Sequence, residues 1–279
     1  MCTRPGIIKR YFSDENFLKL KQDFQFLVKL IKSYLGELEL SFREDSFNLY
    51  FRGNSAAKVK FNANKKYTVY IHKKFFPDSL QKDHRFSYQK SRNYYVIRVT
   101  ADMLHTLLQK KYLNEIYSNI KKENYSEELS FEQMLIADNI NREDFIIIDR
   151  QVSDPVLERK RMDLLALQQV ELNKYAFSVL EVKMGNNPEL KDSVADQIGQ
   201  YIKHIGKFFK DYKFCYEKQY QQKKEFGIIE KPDRESIEIV SDVKGMIIVG
   251  GYSGIAHEQI KKLKSNNPNL TIKNFPFIL

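Results

Sequence analysis

Apolar residues recur every third or fourth position from Phe17 through Leu20, Phe24, Leu27 and Ile31 to Tyr34, which predicts a helix over residues 14–35. Ser13 or Asp14 can cap its start, and Gly36 can end it. The period then drops to two. Leu38, Leu40 and Phe42, then Phe47, Leu49 and Phe51, then Val59 and Phe61, then Tyr67, Val69 and Ile71 alternate with polar residues, as in four short half-buried strands. Turn-forming residues at Glu44-Asp45, at Gly53-Asn54-Ser55 and over 62–65 join them into an antiparallel meander. Residues 77–92 read as a polar loop and 94–99 as a further strand. Residues 101–120 read as a second helix, with Met103, Leu107, Leu108, Tyr112 and Ile116 on one stripe. Residues 121–130 have no apolar periodicity and read as a linker.

Beyond the linker, strands and helices alternate. Ser130 is positioned to cap a helix reaching Asn141, and Phe145 to Ile148 is an apolar run of strand length. Met162, Leu164, Leu165 and Leu167 mark a strand that returns through Asn173-Lys174 into the apolar residues 176–180. Gly185-Asn186-Asn187-Pro188 breaks that strand. Helices follow over 189–209, with Val194, Ile198, Tyr201, Ile202 and Ile205 inward, and over 212–226. A strand at 246–249, a helix at 255–263 and a last strand at 270–272 complete an α/β core around a mixed central sheet. The predicted organisation is an α+β domain containing the meander over residues 1–125 and the α/β domain over 126–279.

Charge separates the two halves. Of 46 Lys and Arg and 36 Asp and Glu in the 279 residues, the first 130 residues hold 24 and 14, and the rest hold 22 and 22. The net charge of +10 therefore belongs to the first half, as suits a surface that attracts phosphate backbones through counterion release. Within the meander, Arg52, Lys58, Lys60, Lys65, Lys66, Lys73 and Lys74 are interleaved with Tyr50, Phe51, Phe61, Tyr67 and Tyr70, a mixture that could follow a backbone and stack bases, or simply be a sheet with one solvated face. No apolar run is long enough for a bilayer, and no apolar segment follows Arg4, Lys9 and Arg10 as in a secretory signal, so a cytoplasmic location and no membrane partner are expected. Cys2 and Cys215 are too few and too far apart for a disulfide framework or a cysteine zinc site.

The chemistry concentrates in residues 161–201. Glu181 and Lys183 are two apart on a strand and so share a face, with Val182 directed to the other side. If the two strands pair as a hairpin, Asp163 can lie beside them. Two carboxylates and a backbone carbonyl are hard oxygen ligands of the kind Mg²⁺ prefers, and a lysine alongside could reach a bound water or a phosphate. Asp163 in Arg161-Met162-Asp163-Leu164-Leu165, the Glu181-Val182-Lys183 triplet, and Gln197 with Tyr201 four residues on together resemble the PD-(D/E)XK nuclease superfamily, in its RecB-like branch with a QxxxY helix motif. The resemblance covers about residues 130–250. More loosely, a nuclease core with an extra N-terminal domain resembles Shedu-type phage-defence nucleases.

The resemblance implies a restriction-endonuclease-like fold and a Mg²⁺-dependent nuclease, with Mn²⁺ able to substitute, acting on nucleic acid, DNA in preference to RNA. It implies that Asp163, Glu181 and the Val182 carbonyl bind the metal, that Lys183 serves the attacking water, that Gln197 orients Lys183 and that Tyr201 contacts phosphate. Glu132, on the helix opening the domain, matches the superfamily's first acid, with Glu158 as its rival. Met162 stands where the superfamily has proline, a position that ligates nothing. A homo-oligomer is compatible with this reading. A catalytically silent nucleic-acid-binding or regulatory module on the same fold is the alternative, as is an N-terminal domain that binds a protein partner. Gly250-Gly251-Tyr252-Ser253-Gly254 matches no phosphate-loop or nucleophile-elbow spacing and reads as a strand-to-helix turn. The five histidines lack ligand spacing, and His204 alone shares the helix face of Gln197.

Overall fold

Two sheets organise the chain, one in each of two compact units: Arg10–Gln133 with Gln222–Ile228, and Met134–Gln221 with the residues before Arg10 and from Ile229 onward. The structure, a computed structural model, describes residues 8–63, 66–123, 126–154, 157 and 161–276.

In the first unit Ser13 caps α1 (Asp14–Phe24), its hydroxyl accepting the Asn16 N–H at 3.4 Å while Asp14 and Glu15 occupy the dipole-favoured first turn. The single helix predicted over 14–35 is in fact two. At Gln25 the winding tightens, the Val28 N–H bonding the Gln25 carbonyl at 3.2 Å, and α2 (Phe26–Ser33) follows. The apolar stripe survives the break, since Phe17, Leu20 and Phe24 on α1 and Leu27 and Ile31 on α2 are all buried. The four expected strands, β1 (Leu38–Arg43), β2 (Ser46–Phe51), β3 (Asn54–Phe61) and β4 (Lys66–His72), pair as an antiparallel meander. The predicted loop over 77–92 holds the one-turn α3 (Asp78–Gln81) and the short strand β5 (Tyr88–Lys90). β5 carries no apolar alternation and exists through its pairing with β6 (Tyr94–Thr100), which completes the order β1-β2-β3-β4-β6-β5.

Two helices, α4 (Ala101–Leu107) and α5 (Lys110–Glu123), replace the one predicted over 101–120. Most of the predicted 121–130 linker is helical, because α5 runs on to Glu123 and α6 (Glu127–Asp138) starts directly after Ser126, whose hydroxyl accepts the Leu129 N–H at 3.4 Å. Ser130 therefore sits inside α6 and does not cap it. Gln133 fixes α6 to the meander by accepting the Gly53 N–H at 3.1 Å and donating to the Gly36 carbonyl at 2.6 Å. A side chain at Gly53, whose φ is 80°, would strike the Leu129 backbone, so this turn needs glycine. The helices cover one face of the sheet, where Phe51, Phe61 and Tyr67 join the core. That placement removes these three, and the buried Tyr50, from the aromatic residues available for stacking on bases.

The second unit contains β7 (Phe145–Ser153), β8 (Arg161–Glu171), β9 (Lys174–Met184), β10 (Glu238–Gly250) and β11 (Thr271–Phe275) in the order β11-β10-β9-β8-β7. β7, β8 and β9 are antiparallel, and β10 and β11 continue in parallel, so the sheet is mixed as expected. Asn173, at φ 65°, makes the tight β8–β9 turn. Only Lys174 at the very start of β9 is not buried, which matches its near-continuous apolar sequence and central place. The helix predicted over 189–209 splits at Ser193 into α7 (Glu189–Asp192) and α8 (Val194–Lys207), followed by α9 (Phe209–Phe226) and α10 (Ser253–Asn266). Val194 and Ile198 of α8 pack with Ile247 and Val249 of β10, the direct neighbours of Glu181 and Lys183 in the ladder. Among the described residues, no helix is long and apolar enough to cross a membrane.

Close approach of α8 to β10 depends on Gly245, where an added Cβ would collide with Ile198 Cγ2 and stand 2.8 Å from Ile202 Cδ1. Gly245→Ala should lower unfolding free energy by about 1–3 kcal/mol through overpacking. The measurement is the denaturant midpoint at unchanged m-value; a midpoint equal to that of the parent protein would contradict this packing.

Candidate active site

The β8–β9 ladder ends at Leu164↔Leu180. Extending that register by one residue sets Asp163 opposite Glu181, where a side chain takes over from the backbone: Asp163 Oδ2 accepts the Val182 N–H at 3.0 Å. The hairpin thus brings Asp163 to Glu181 and Lys183, as the sequence reading required. All three are buried, Glu181 completely, Lys183 at 4% exposure and Asp163 at 9%.

Lys183 is the centre of charge. Its Nζ lies 3.0 Å from Glu181 Oε1, 3.2 Å from Glu189 Oε2 and 3.6 Å from Asp163 Oδ2. Glu189, the half-exposed member, opens α7, where the Asn187 side chain accepts its N–H at 2.9 Å. The second oxygen of Glu181, Oε2, is buried with no hydrogen-bond donor. A carboxylate held this way resists ionisation. Burial first, then the neighbouring Asp163 charge, push the Glu181 carboxyl up to about 8, although Lys183 pulls in the opposite direction.

Gln197 and Tyr201 form a second group. The Gln197 amide donates to the Tyr201 hydroxyl at 3.0 Å, and that hydroxyl donates to the Arg161 carbonyl at 3.0 Å. Together they tie α8 to the start of β8, two residues before Asp163. Tyr201 is fully buried, and burial above all raises its hydroxyl pKa, with the Glu181 and Asp163 charges adding to the effect and the Gln197 hydrogen bond opposing it. Its hydroxyl serves the fold in this structure, whereas a phosphate contact would need it turned outward.

Glu132 is buried in the middle of α6, not in a helix's first turn, and belongs to the first unit and not to the sheet that carries the cluster. Glu158 lies outside the described residues. His204 is paired, its Nε2 being 2.9 Å from Asp154 Oδ2, the same oxygen that accepts the Tyr212 hydroxyl at 3.1 Å. Sequence reasoning missed both Asp154 and Glu189. An acid just after a strand-breaking Gly-Asn-Asn-Pro and six residues past Lys183 was the available signal for the latter.

Among the described residues, no group of three or more His, Cys, Asp and Glu side chains could by itself hold a metal ion. The cluster offers two carboxylates and the Val182 carbonyl. Mg²⁺ commonly takes one or two protein carboxylates and completes its shell with water and substrate phosphate. The donor-less buried Glu181 Oε2 fits such a cation, which would supply the positive charge this oxygen lacks. No protein-family model and no curated protein matches this sequence.

The Glu181 shift has a measurable consequence. In the folded protein its carboxyl keeps a proton up to about pH 8, whereas in the unfolded chain it loses it near 4.5, so the folded state binds more protons between these values and stability should fall as pH rises across that window. Glu181→Gln, which cannot ionise, should therefore melt above the parent protein at pH 8.5, with the gap closing toward pH 4.5. Melting curves by circular dichroism in chelator test this; a gap that is constant with pH would disprove it.

Proposed function

We propose that this protein is a metal-dependent nuclease built on a restriction-endonuclease-like core, hydrolysing phosphodiester bonds of nucleic acid, with Mg²⁺ as the working ion and Mn²⁺ able to replace it. The observation that carries the reading is the buried meeting of Asp163, Glu181 and Lys183 across two adjacent strands, with one Glu181 oxygen left without a donor. A mixed sheet flanked by helices, with the carboxylates near one end of its central strands, agrees with that core.

When bound, the ion would lower the pKa of a water and neutralise charge developing at phosphorus. The remaining work falls to the chain. Asp163, Glu181 and the Val182 carbonyl would hold the ion. Lys183 has its ammonium within reach of both carboxylates and would hold the attacking water by hydrogen bonding. Glu189 competes for the same ammonium at 3.2 Å from the half-exposed side, and so sets how firmly Lys183 is withheld from an incoming phosphate. Gln197 and Tyr201 hold α8 against the Arg161 backbone, which fixes the start of β8 and hence Asp163.

A second reading, a silent binding module on the same fold, draws on the closure of the cluster: Lys183 already has three carboxylates within 3.6 Å and almost no exposure. One assay separates the two. Purified protein with Mg²⁺ or Mn²⁺ should cut linear or circular DNA, single-stranded DNA or RNA, and Glu181→Ala and Lys183→Ala should each reduce the rate at least about a thousandfold, as expected when a residue acting on the reacting centre is lost. Cleavage that survives both substitutions, or that proceeds fully in chelator, would refute the nuclease reading. Absence of cleavage on every substrate would favour the silent module.

A further inference from the structure

The face of the six-stranded sheet opposite the helices has no apolar stripe. Register places its side chains in rows across the strands: Lys58, Tyr70 and Val96 form one, Lys60, Thr68 and Arg98 the next, and His72 stands beside Tyr94. Lys66, two residues before Thr68, extends the cationic edge. Lys58, Lys60, Lys66 and Arg98 are exposed, and Tyr94 is 41% exposed with its ring 6.4 Å from that of Tyr70 in an edge contact. Among the described residues, Glu39 on β1 is the one acid that the strands present on this side. Concentrated like charge is felt at Lys58, whose pKa is lowered by partial burial first and then by Arg43, Lys60 and Arg10.

We infer that this face, centred on Lys60, Arg98, Tyr70 and Tyr94, binds single-stranded nucleic acid. Charge complementarity selects a polyanion, because four cations stand on a lattice whose spacing is about 7 Å along each strand and about 5 Å between strands. The tyrosines select the strand form. Bases in a duplex are already stacked on one another, so an exposed ring on an open sheet gains a stacking partner only from a single strand. The sequence pattern hid this arrangement: Phe51, Phe61 and Tyr67, the aromatic residues nearest the lysines in the chain, face the core, while Tyr94 and Arg98 arrive from a strand some 30 residues downstream of β4 and become neighbours only by pairing.

The inference names the strand form that the nuclease reading would cut and rests on that reading to this extent, although binding itself needs no catalysis. The test uses the full chain in chelator with a short labelled single-stranded DNA and the same sequence as a duplex, titrated at several salt concentrations. The parent protein should prefer the single strand. Lys60→Gln with Arg98→Gln should weaken binding roughly tenfold or more and flatten the slope of log affinity against log salt by about 1.4, two phosphate contacts at about 0.7 each. Tyr94→Ala should weaken single-strand binding about fivefold or more and leave duplex binding unchanged. The inference falls if the parent protein does not bind the single strand or prefers the duplex, or if the correctly folded variants, checked by melting curves, bind like the parent. Intact binding without cleavage in Mg²⁺ would support this face while removing the nuclease reading.

Discussion

Two buried carboxylates and one buried ammonium, packed together near one end of the central strands, govern the design of the second unit. A buried charge must be paired, and losing one partner of such a group typically costs about 3–5 kcal/mol. β9 is buried on both faces, so Glu181 and Lys183 have little access to bulk solvent and pair with one another. Asp163 then does two jobs with one oxygen, closing the hairpin where the backbone ladder stops and facing Lys183. The hydrogen bonds from Gln197 through Tyr201 to Arg161 hold the adjoining helix and the start of β8 together. What remains uncompensated is one Glu181 oxygen, and an uncompensated buried group in an otherwise well-paired cluster is where a ligand contributes most.

Much of this was legible in the sequence, for a physical reason. Alternation and triplet spacing act over two to four residues, so the four meander strands and the shared face of Glu181 and Lys183 could be read along the chain, and the alternation of strands and helices indicated that the second sheet is mixed, though not its order. The one-residue extension of register that sets Asp163 against Glu181 is a property of two strands, and only their pairing could establish it. The same holds for β5, which lacks a pattern of its own, and for Glu189, whose proximity to Lys183 depends on how α7 leaves the sheet. Helix breaks at Gln25 and Ser193 were invisible because the apolar stripe runs on through them. The start of α6 was missed because Ser126 and Ser130 are both good caps, and the acids at Glu127 and Glu128 favour the earlier one.

The two sheets treat their faces differently, and that difference follows charge. The second unit sets its Lys and Arg almost evenly against its acids, 22 to 20, and its central strand is buried on both sides. The first unit, with 24 Lys and Arg against 16 Asp and Glu, carries most of the net positive charge of the chain and buries most of its aromatic rings on one face, leaving exposed cations and Tyr94 on the other.

The first unit is also discontinuous. After α9 has run through the second unit, its last residues belong to the first: Gln222 accepts the Phe12 N–H at 2.9 Å and donates to the Phe12 carbonyl at 2.7 Å, and the fully buried Phe226 meets the Phe42 ring at 6.1 Å. A gene fragment ending at codon 133 would encode the sheet without the segment that caps its aromatic core. The first unit is therefore not one uninterrupted stretch of chain, and a fragment meant to fold as this unit has to include residues 222–228.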